Sequence, residues 1–282
     1  AFGPRYCPGI EDKISRFPER NSHQLFVEPE DSLGERIYLN GFNSSLPQEV
    51  QEEAMRTIPG LQNATVLLYG YDIEYDAIRA TQLHPTLEHK KIPNLYFAGQ
   101  VNGTSGYEEA AVQGLVAGAN AALKLLEKEP LLLRRDEAYA GVLLDDLTTI
   151  ALDEPYRMFT SRAEYRLLLR QDNTESRLLE KGAHLGLVSD EQQELYRQSR
   201  QRVCEAKESL SIRVVKPEEI NRQLEQLGES AISTPATALE LLRRGEAPLD
   251  ALFEFSSLND RLKQQEKIEI WADELYSSYY KR

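Results

Sequence analysis

A cysteine flanked by prolines is the first feature of this sequence that could carry out chemistry. Cys7 lies between Pro4 and Pro8, which restrict the backbone on both sides, so we expect it on a stiff, exposed loop. Arg5 and Lys13 are close in sequence, and cationic neighbours raise the fraction of a thiol that is present as the nucleophilic thiolate. A buried, unreactive cysteine is the alternative, because that is the commonest state of a free thiol.

A glycine-spaced loop is the second candidate, and it joins an apolar segment to a helix. The sequence from Asn94 to Ala111 reads NLYFAGQVNGTSGYEEAA, with glycines at 99, 103 and 106. Glycines let the backbone approach a ligand closely, and a helix start offers unpaired N–H groups with positive dipole character. This combination suits an electron-rich ring edge such as the pyrimidine end of a reduced flavin, and a tight strand–helix connection without a ligand is the alternative. The spacing differs from G-x-G-x-x-G, which occurs nowhere in the chain, so no dinucleotide phosphate loop is predicted.

A basic stretch is the third candidate. Four arginines recur between residues 155 and 170, at Arg157, Arg162, Arg166 and Arg170. If a helix begins near Ser161, the last three line one face at four-residue spacing. Such a ladder can neutralise phosphates, and Tyr156 and Tyr165 could stack on unpaired bases. The alternative is a solvated face whose arginines pair with Glu164 and neighbouring acids.

The elements that must position these residues change in character along the chain. Residues 1–130 are predicted to be mixed α/β, with helices at Pro47–Ile58 and from about Gly106 to Lys128. Short strands are predicted at His23–Glu28, Arg36–Asn40, Ala64–Tyr69 and Asn94–Ala98.

From about residue 131 the pattern is helical. Ser189 with Gln192 predicts a capping box, and Pro217 predicts the start of a further helix. One apolar-to-small stripe follows the capping box, through Leu195, Ser199, Val203, Ala206 and Leu210. Cys204 lies inside that helix and is expected to be a packing residue. The last helix is expected to present Ile268, Trp271, Leu275 and Tyr279 on one face.

Composition excludes several classes of protein. The 282 residues carry a net charge of −13, which argues against non-specific nucleic-acid binding by the whole surface. Two cysteines cannot make a disulfide framework, so a reducing, cytoplasmic setting is expected. No run reaches the roughly 18–20 apolar residues that span a bilayer, so no membrane association is predicted. The four histidines are scattered without ligand spacing, so no metal site is predicted.

At these three stretches the sequence resembles the glucose-inhibited division protein A family, whose members are tRNA-modifying flavoenzymes. The resemblance is carried by GPRYCP with IEDK in residues 3–13, by AGQVNG through GYEEAA in residues 98–111, and by EPYRMFTSRAEYR in residues 154–166. It extends over essentially the whole chain. It implies the C-terminal part of a Rossmann-like flavin-binding domain with a small β insertion, followed by an all-α domain. The implied domains are residues 1–130 for the cofactor and substrate region and residues 131–282 for tRNA binding.

The resemblance also implies roles for individual residues. Cys7 would be the active-site cysteine, acting as nucleophile or acid–base group, with Lys13 near the reaction centre. Residues 3–17 would take part in nicotinamide-cofactor binding and residues 99–103 would contact the flavin; the cofactor-binding set is Gly3, Pro4, Arg5, Tyr6, Glu11, Gly99, Gln100, Asn102, Gly103 and Glu108. The tRNA-binding set would be Arg157, Arg162, Arg166 and Arg170.

The activity implied is addition of the (carboxymethyl)aminomethyl group to C5 of the wobble uridine of tRNA, with FAD, NADH and methylene-tetrahydrofolate. The implied partners are tRNA, a tRNA-modification GTPase and a second copy of the full-length protein. The family's N-terminal flavin-phosphate half and extreme C-terminus have no counterpart in this sequence, so the chain alone is expected to be inactive. The alternatives are a relative of the flavin- and folate-dependent tRNA uracil methyltransferase, or a module that binds tRNA or a protein without turnover.

Overall fold

The computed structural model describes residues 9–71, 75–151, 154–244 and 247–280, and these form two compact units. The first unit comprises the described residues up to Leu132 together with Leu143–Phe159. The second comprises Leu133–Val142 and the described residues from Thr160 onwards. Cys7 and the predicted cofactor residues Gly3, Pro4, Arg5 and Tyr6 lie outside the described residues.

The first unit mixes helices with one β-hairpin. Its elements are α1 (Ile10–Arg16), β1 (Phe26–Pro29), β2 (Ile37–Asn40), α2 (Gln48–Arg56), α3 (Tyr107–Leu125), most of α4 (Tyr139–Thr149), and short 3₁₀ turns at Ala80–Gln82 and Gly99–Asn102. Strands β1 and β2 pair antiparallel, with Phe26 opposite Asn40 and Pro29 opposite Ile37. The unit's core is apolar, with Leu83, Leu87, Val116, Leu143 and Leu147 all buried.

Two of the four predicted strands are wrong. Residues 64–69 form no strand, and Leu67 and Leu68 are exposed rather than buried against a sheet. Residues 94–98 contain only a single bridge, between Tyr96 and Glu88. A strand needs a neighbour to accept its hydrogen bonds, and here the backbone of this segment bonds instead to the preceding turn: Phe97 N donates to Leu87 O at 3.1 Å.

The second unit is predominantly helical. Its elements are a 3₁₀ turn at Thr160–Arg162, α5 (Thr174–His184), α6 (Asp190–Ile212), β3 (Val214–Val215), α7 (Pro217–Gln226), β4 (Ala236–Thr237), α8 (Ala238–Leu241), α9 (Leu249–Phe255) and α10 (Gln264–Tyr280). Strands β3 and β4 pair antiparallel over two residues. The core forms where α6, α7, α8, α9 and α10 converge, around Leu210, Ile220, Leu224, Phe253 and Ile270.

The predicted helix starts of this unit are confirmed. Ser189 Oγ accepts from Gln192 N at 3.2 Å and Gln192 Oε1 accepts from Ser189 N at 3.0 Å, which completes the capping box. Pro217 is the first residue of α7. These signals are local, so they do not depend on what the helix packs against.

Predictions about helix faces are less successful. Cys204 is exposed, so its prediction as a packing residue is wrong: it lies about 100° around α6 from Val203, whose face is buried. On α10 the fully buried apolar residue is Ile270, whereas Ile268 and Tyr279 of the predicted face are exposed. The prediction missed this because buried Glu266 and Glu269 lie on the same side of α10.

Candidate functional site

The glycine turn before α3 is built as its sequence requires. Gly99 and Gly103 have φ angles of 84° and 83°, in the left-handed region that residues with a Cβ rarely adopt. They bracket the 3₁₀ turn Gly99–Asn102, and Gly106 then caps α3. The predicted loop between an apolar segment and a helix start is therefore present, and it includes the predicted cofactor residues Gly99, Asn102 and Gly103.

The buried side chain of Gln113 on α3 makes four hydrogen bonds at the turn. Its Oε1 accepts from Gly99 N at 3.1 Å and from Asn102 Nδ2 at 2.8 Å. Its Nε2 donates to Thr104 Oγ1 and to Glu109 O, both at 3.0 Å. Gln113 was not among the residues predicted from the sequence; the available signal was an amide among Ala, Val and Gly within α3.

Three buried oxygens around this turn have no hydrogen-bond partner among the described residues. They are Asn102 Oδ1, Ser105 Oγ and Glu109 Oε2. Asn102 is only 1% exposed, and its amide nitrogen is occupied by Phe97 O and Gln113. Buried polar atoms are normally satisfied, so a group of unsatisfied ones marks a place where a ligand's donors can bind.

The remaining predicted cofactor residues of this region are on its surface. Gln100 and Glu108 are both exposed, next to the buried Asn102 and Glu109. The turn therefore presents a buried acceptor, Asn102 Oδ1, and two long polar side chains that can move to a ligand. This arrangement can hold a ring with hydrogen-bond donors on its edge.

Within the segment 154–159, Tyr156 forms a single parallel bridge with Thr104 beside the turn. Tyr156 N donates to Gly103 O at 2.8 Å and Tyr156 O accepts from Ser105 N at 3.3 Å. Tyr156 is 1% exposed and its hydroxyl donates to Asp146 Oδ2 at 2.7 Å, so the expectation that Tyr156 stacks on a base is wrong. Arg157 lies 3.6 Å from the buried Glu109 carboxylate, and this ion pair draws it towards α3.

The predicted helix across the other arginines is also wrong. After the 3₁₀ turn Thr160–Arg162 the chain makes consecutive turns, so Arg162, Arg166 and Arg170 do not share a helix face. Arg170 is directed inward: Nη2 donates to Asp273 Oδ1 at 2.7 Å and Nε donates to Asp172 at 3.1 Å. The ion pair with Asp273 binds Arg170 to α10, which a local sequence pattern could not reveal.

Arg166 and Tyr165 remain on the surface of this segment, and Arg162 is half-buried. Arg135, which was not predicted from the sequence, holds the segment 162–166 in place. Its Nε donates to Glu164 Oε1 at 2.7 Å and its Nη2 donates to Arg162 O at 3.3 Å. The Arg135 hydrogen bond lowers the pKa of Glu164. Glu164 is thus paired with an arginine outside the predicted ladder, in partial agreement with the alternative of a solvated, paired face.

Lys13 and Glu11 lie on α1, beside the loop that follows β2. Lys13 Nζ donates to Gly41 O at 2.9 Å. Glu11 Oε1 accepts from Ser45 N at 3.0 Å and from Ser45 Oγ at 3.1 Å. Burial raises the pKa of Glu11, but the hydrogen bonds from Ser45 outweigh it and leave the pKa below its usual value. Both residues thereby fix α1 against residues 41–45.

Among residues 9–71, 75–151, 154–244 and 247–280, no cluster of three histidine, cysteine or acidic side chains could hold a metal ion. Within the same ranges, no helix has the length and apolar character needed to cross a membrane.

Two sequence models of one protein family match the chain. The model described as glucose inhibited division protein A matches residues 1–129. The model described as the tRNA modifying enzyme MnmG/GidA C-terminal helical domain matches residues 190–282.

Curated relatives agree with these matches. The tRNA uridine 5-carboxymethylaminomethyl modification enzyme MnmG of Salinibacter ruber is 49% identical over 262 residues, which are 93% of this chain and 40% of that enzyme. The enzyme of the same name from Finegoldia magna is 49% identical over 278 residues, which are 98% of this chain and 44% of that enzyme. The chain therefore spans less than half the length of these relatives.

A solved structure extends the similarity to the fold. The form II crystal structure of Aquifex aeolicus GidA matches 99% of this chain with a TM-score of 0.78 and 44% sequence identity, and the match covers 44% of that chain. This confirms the predicted fold class, a mixed α/β part followed by a helical domain. Because the two family models cover both ends of the chain and the relatives and the solved structure cover nearly all of it, the chain belongs to the glucose-inhibited division protein A family.

Proposed function

We propose that this chain is the substrate-side and tRNA-binding part of a flavoenzyme that adds the (carboxymethyl)aminomethyl group to C5 of the wobble uridine of tRNA. The observation that carries the proposal is the group of unsatisfied buried oxygens at the glycine turn, next to the N-terminus of α3. The relatives named as tRNA uridine modification enzymes support the reaction class.

The turn fits the pyrimidine edge of FAD. Asn102 Oδ1 is a buried acceptor without a partner among the described residues, Ser105 Oγ can donate or accept, and Gln100 is exposed beside them. The N-terminus of α3 favours the negative charge of a reduced ring. When bound, FAD reduced by NADH would supply the electrons for transferring a one-carbon unit from methylene-tetrahydrofolate. The chain's own residues would orient the ring through Asn102 and Gln100 and keep its inner edge out of water.

The nicotinamide cofactor would bind at residues 3–17, with Cys7 at the uridine ring as nucleophile or acid–base group. Lys13 would place a cation near the reaction centre, held by Gly41 O. Glu11, ionised by its bonds to Ser45, would keep α1 in position to support this segment.

The tRNA would be bound by the helical part, residues 131–282, through its phosphates. Arg166 and Tyr165 are exposed on a turn that Arg135 braces, and this supports a phosphate contact with base stacking beside it. Arg162 would contribute from the same turn. Arg157 and Arg170 are engaged with Glu109 and with Asp172 and Asp273, so their part would be to hold the surface in shape.

A cytoplasmic homodimer that works with a tRNA-modification GTPase stays part of this proposal. The alternative of a tRNA uracil methyltransferase relative is disfavoured by the match of residues 190–282 to a MnmG/GidA helical domain. The other alternative, a tRNA-binding module without turnover, concerns this chain on its own.

The catalytic part is tested with Cys7→Ser in a full-length enzyme that carries this chain. The wobble nucleoside of tRNA is analysed by mass spectrometry after reaction. We expect Cys7→Ser to abolish modification while the flavin content per protein stays unchanged. Cys204→Ser is the matched control, since Cys204 is exposed on α6 in the helical unit. Persisting modification in Cys7→Ser would refute the assigned role of the thiol.

The binding part is tested by titrating tRNA against this chain at several salt concentrations. Arg166→Ala should weaken binding and reduce the slope of log affinity against log salt by about 1, because one phosphate contact is lost. Arg197→Ala is the control, because Arg197 is an exposed arginine of the same unit that pairs with Glu194. Equal effects of the two substitutions would exclude the 162–166 turn from the interface.

A further inference from the structure

The structure assigns to Glu109 the role of a positioning residue, which fixes the segment 156–158 against the glycine turn through its buried carboxylate. This inference rests on the proposed function and adds a residue to it. Glu109 was not among the predicted site residues, whereas its exposed neighbour Glu108 was.

Glu109 makes two contacts with a segment that lies far along the chain. Its Oε1 accepts from the backbone N of Met158 at 2.9 Å, across 49 residues of sequence. The same oxygen lies 3.6 Å from Nε of Arg157. Glu109 is 4% exposed, so both contacts are made in a poorly solvated setting where a charge–charge interaction is strong.

Gly106 shows how tightly this pair is seated on the turn. A Cβ built on Gly106 would overlap Glu109 Oε2 and Nη1 of Arg157. The ion pair therefore occupies the space that any side chain at position 106 would need. Packing therefore explains why position 106 is a glycine. Its backbone angles do not explain it, because a φ of −107° suits any residue.

The segment 156–158 is itself bonded to the turn. Tyr156 exchanges backbone hydrogen bonds with Gly103 and Ser105, and its hydroxyl is anchored on Asp146. A shift of residues 156–158 would therefore move Gly103 and Ser105, which border the buried Asn102.

A carboxylate suits this position better than an amide. Glu109 is the third residue of α3, where negative charge is favoured by the helix dipole. A glutamine could still accept the Met158 N–H bond but would lose the attraction to Arg157. We therefore expect Glu109 to affect the geometry of the reacting groups and not the binding of tRNA, which it would not touch.

The test compares Glu109→Gln and Glu109→Ala in a full-length enzyme that carries this chain, measuring kcat, KM for tRNA and flavin content. We expect kcat to fall by about tenfold in Glu109→Gln and by about a hundredfold in Glu109→Ala. A displacement of the reacting groups by about 1 Å can lower the rate about a hundredfold, and the glutamine retains part of the contact. KM for tRNA and flavin content should stay within about twofold. Glu129→Gln, an exposed acid of the same unit, should match the unsubstituted enzyme in all three.

A double-mutant cycle separates positioning from general destabilisation. Gly106→Ala should lower kcat in the otherwise unsubstituted enzyme. It should add little in the Glu109→Ala background, where the overlapping carboxylate is gone and the Arg157 side chain, no longer paired with it, can move away from the new Cβ. Full additivity of the two substitutions, or a kcat within about twofold in both Glu109 variants, would overturn the proposal.

Failure of the proposed function is recognised separately. If the unsubstituted full-length enzyme leaves tRNA unmodified, the function is refuted, and hydrogen exchange of this chain then decides the positioning role. Glu109→Gln should speed exchange at the Met158 and Tyr156 amides by about tenfold, as expected if the segment 156–158 is held less firmly. Unchanged exchange at both amides would overturn it.

Discussion

Buried glutamates at two places in this molecule differ in whether both carboxylate oxygens have hydrogen-bond partners. In the helical unit, Glu269 bonds through both oxygens to the guanidinium of Arg200, and Glu266 bonds through both oxygens to donors around it. At the glycine turn, Glu109 is equally buried, but its Oε2 has no partner among the described residues. The first arrangement is typical of a structural ion pair, and the second of a site that retains binding capacity.

The same contrast holds for the other unsatisfied buried atoms among the described residues. In the helical unit they are scattered donor nitrogens, Nε of Arg200, Nε of Arg213 and Nε1 of Trp271. In the first unit three of the four are oxygens within the eight residues 102–109. Scattered unsatisfied donors cost stability without forming a site, whereas acceptors grouped on one turn form a surface that a single ligand can satisfy.

The largest expected change in stability comes from a substitution in the apolar core of the helical unit. Leu210→Ala should lower the free energy of unfolding by about 3 kcal/mol, because Leu210 is fully buried where several helices meet and truncation leaves a cavity. Leu195→Ala on the same helix should change it by less than about 0.5 kcal/mol, since Leu195 is exposed. Urea unfolding followed by circular dichroism measures both; equal effects would mean that ion pairs, not the core, stabilise this unit.

An intermediate effect is expected at the turn. Gln113→Ala removes the acceptor of Gly99 N–H and one of the two acceptors of Asn102 Nδ2, and should destabilise the first unit by about 2 kcal/mol because these buried hydrogen bonds are lost. Hydrogen exchange at the Gly99 amide is the direct readout, with the exposed Leu125→Ala on α3 as control. Protection retained in Gln113→Ala would show that the turn is held by other contacts.

The smallest effect is a pH dependence in the helical unit. Burial raises the pKa of Glu266, but hydrogen bonds from Arg202, Ser199 and the Lys263 backbone outweigh it, so the pKa lies below its usual 4.5. A lowered pKa stabilises the folded state above the unfolded-state value, and this stabilisation is lost as the pH falls through the folded-state pKa.

Glu266→Gln should therefore lower the free energy of unfolding by about 1–2 kcal/mol at pH 7 and flatten its decrease below about pH 5. Denaturant melts across this pH range measure the change. Glu254→Gln, an exposed acid on α9, is the control. An unaltered pH profile in Glu266→Gln would mean that other carboxylates dominate acid unfolding, and would weaken the contrast with Glu109.

Prediction from the sequence succeeded where the physical cause is local. The capping box at Ser189 and the start of α7 at Pro217 depend on a few adjacent residues, and both are confirmed. The glycine turn was also located, because left-handed backbone at Gly99 and Gly103 requires glycine. The strands β1 and β2 were placed within three residues at each end, since the turn-rich segment between them marks their boundaries.

Prediction failed where a distant residue decides the outcome. The arginine ladder assumed a helix, but Arg170 turns inward to Asp273, 103 residues away. Tyr156 and Tyr165 are the same residue type in one motif, yet one is buried against Asp146 and the other is exposed. Nothing within the motif distinguishes them.

The sequence by itself determined the family, the order of mixed and helical parts, and the position of the glycine turn, because these follow from residue strings and from the spacing of glycines. Only the tertiary structure decided which polar side chains are buried and what they contact. Glu109, Gln113 and Glu266 acquire their roles from partners brought close by folding, at Met158, Asn102 and Arg202. The physical reason is that the energy of a buried polar group depends on its surroundings, which sequence spacing does not specify.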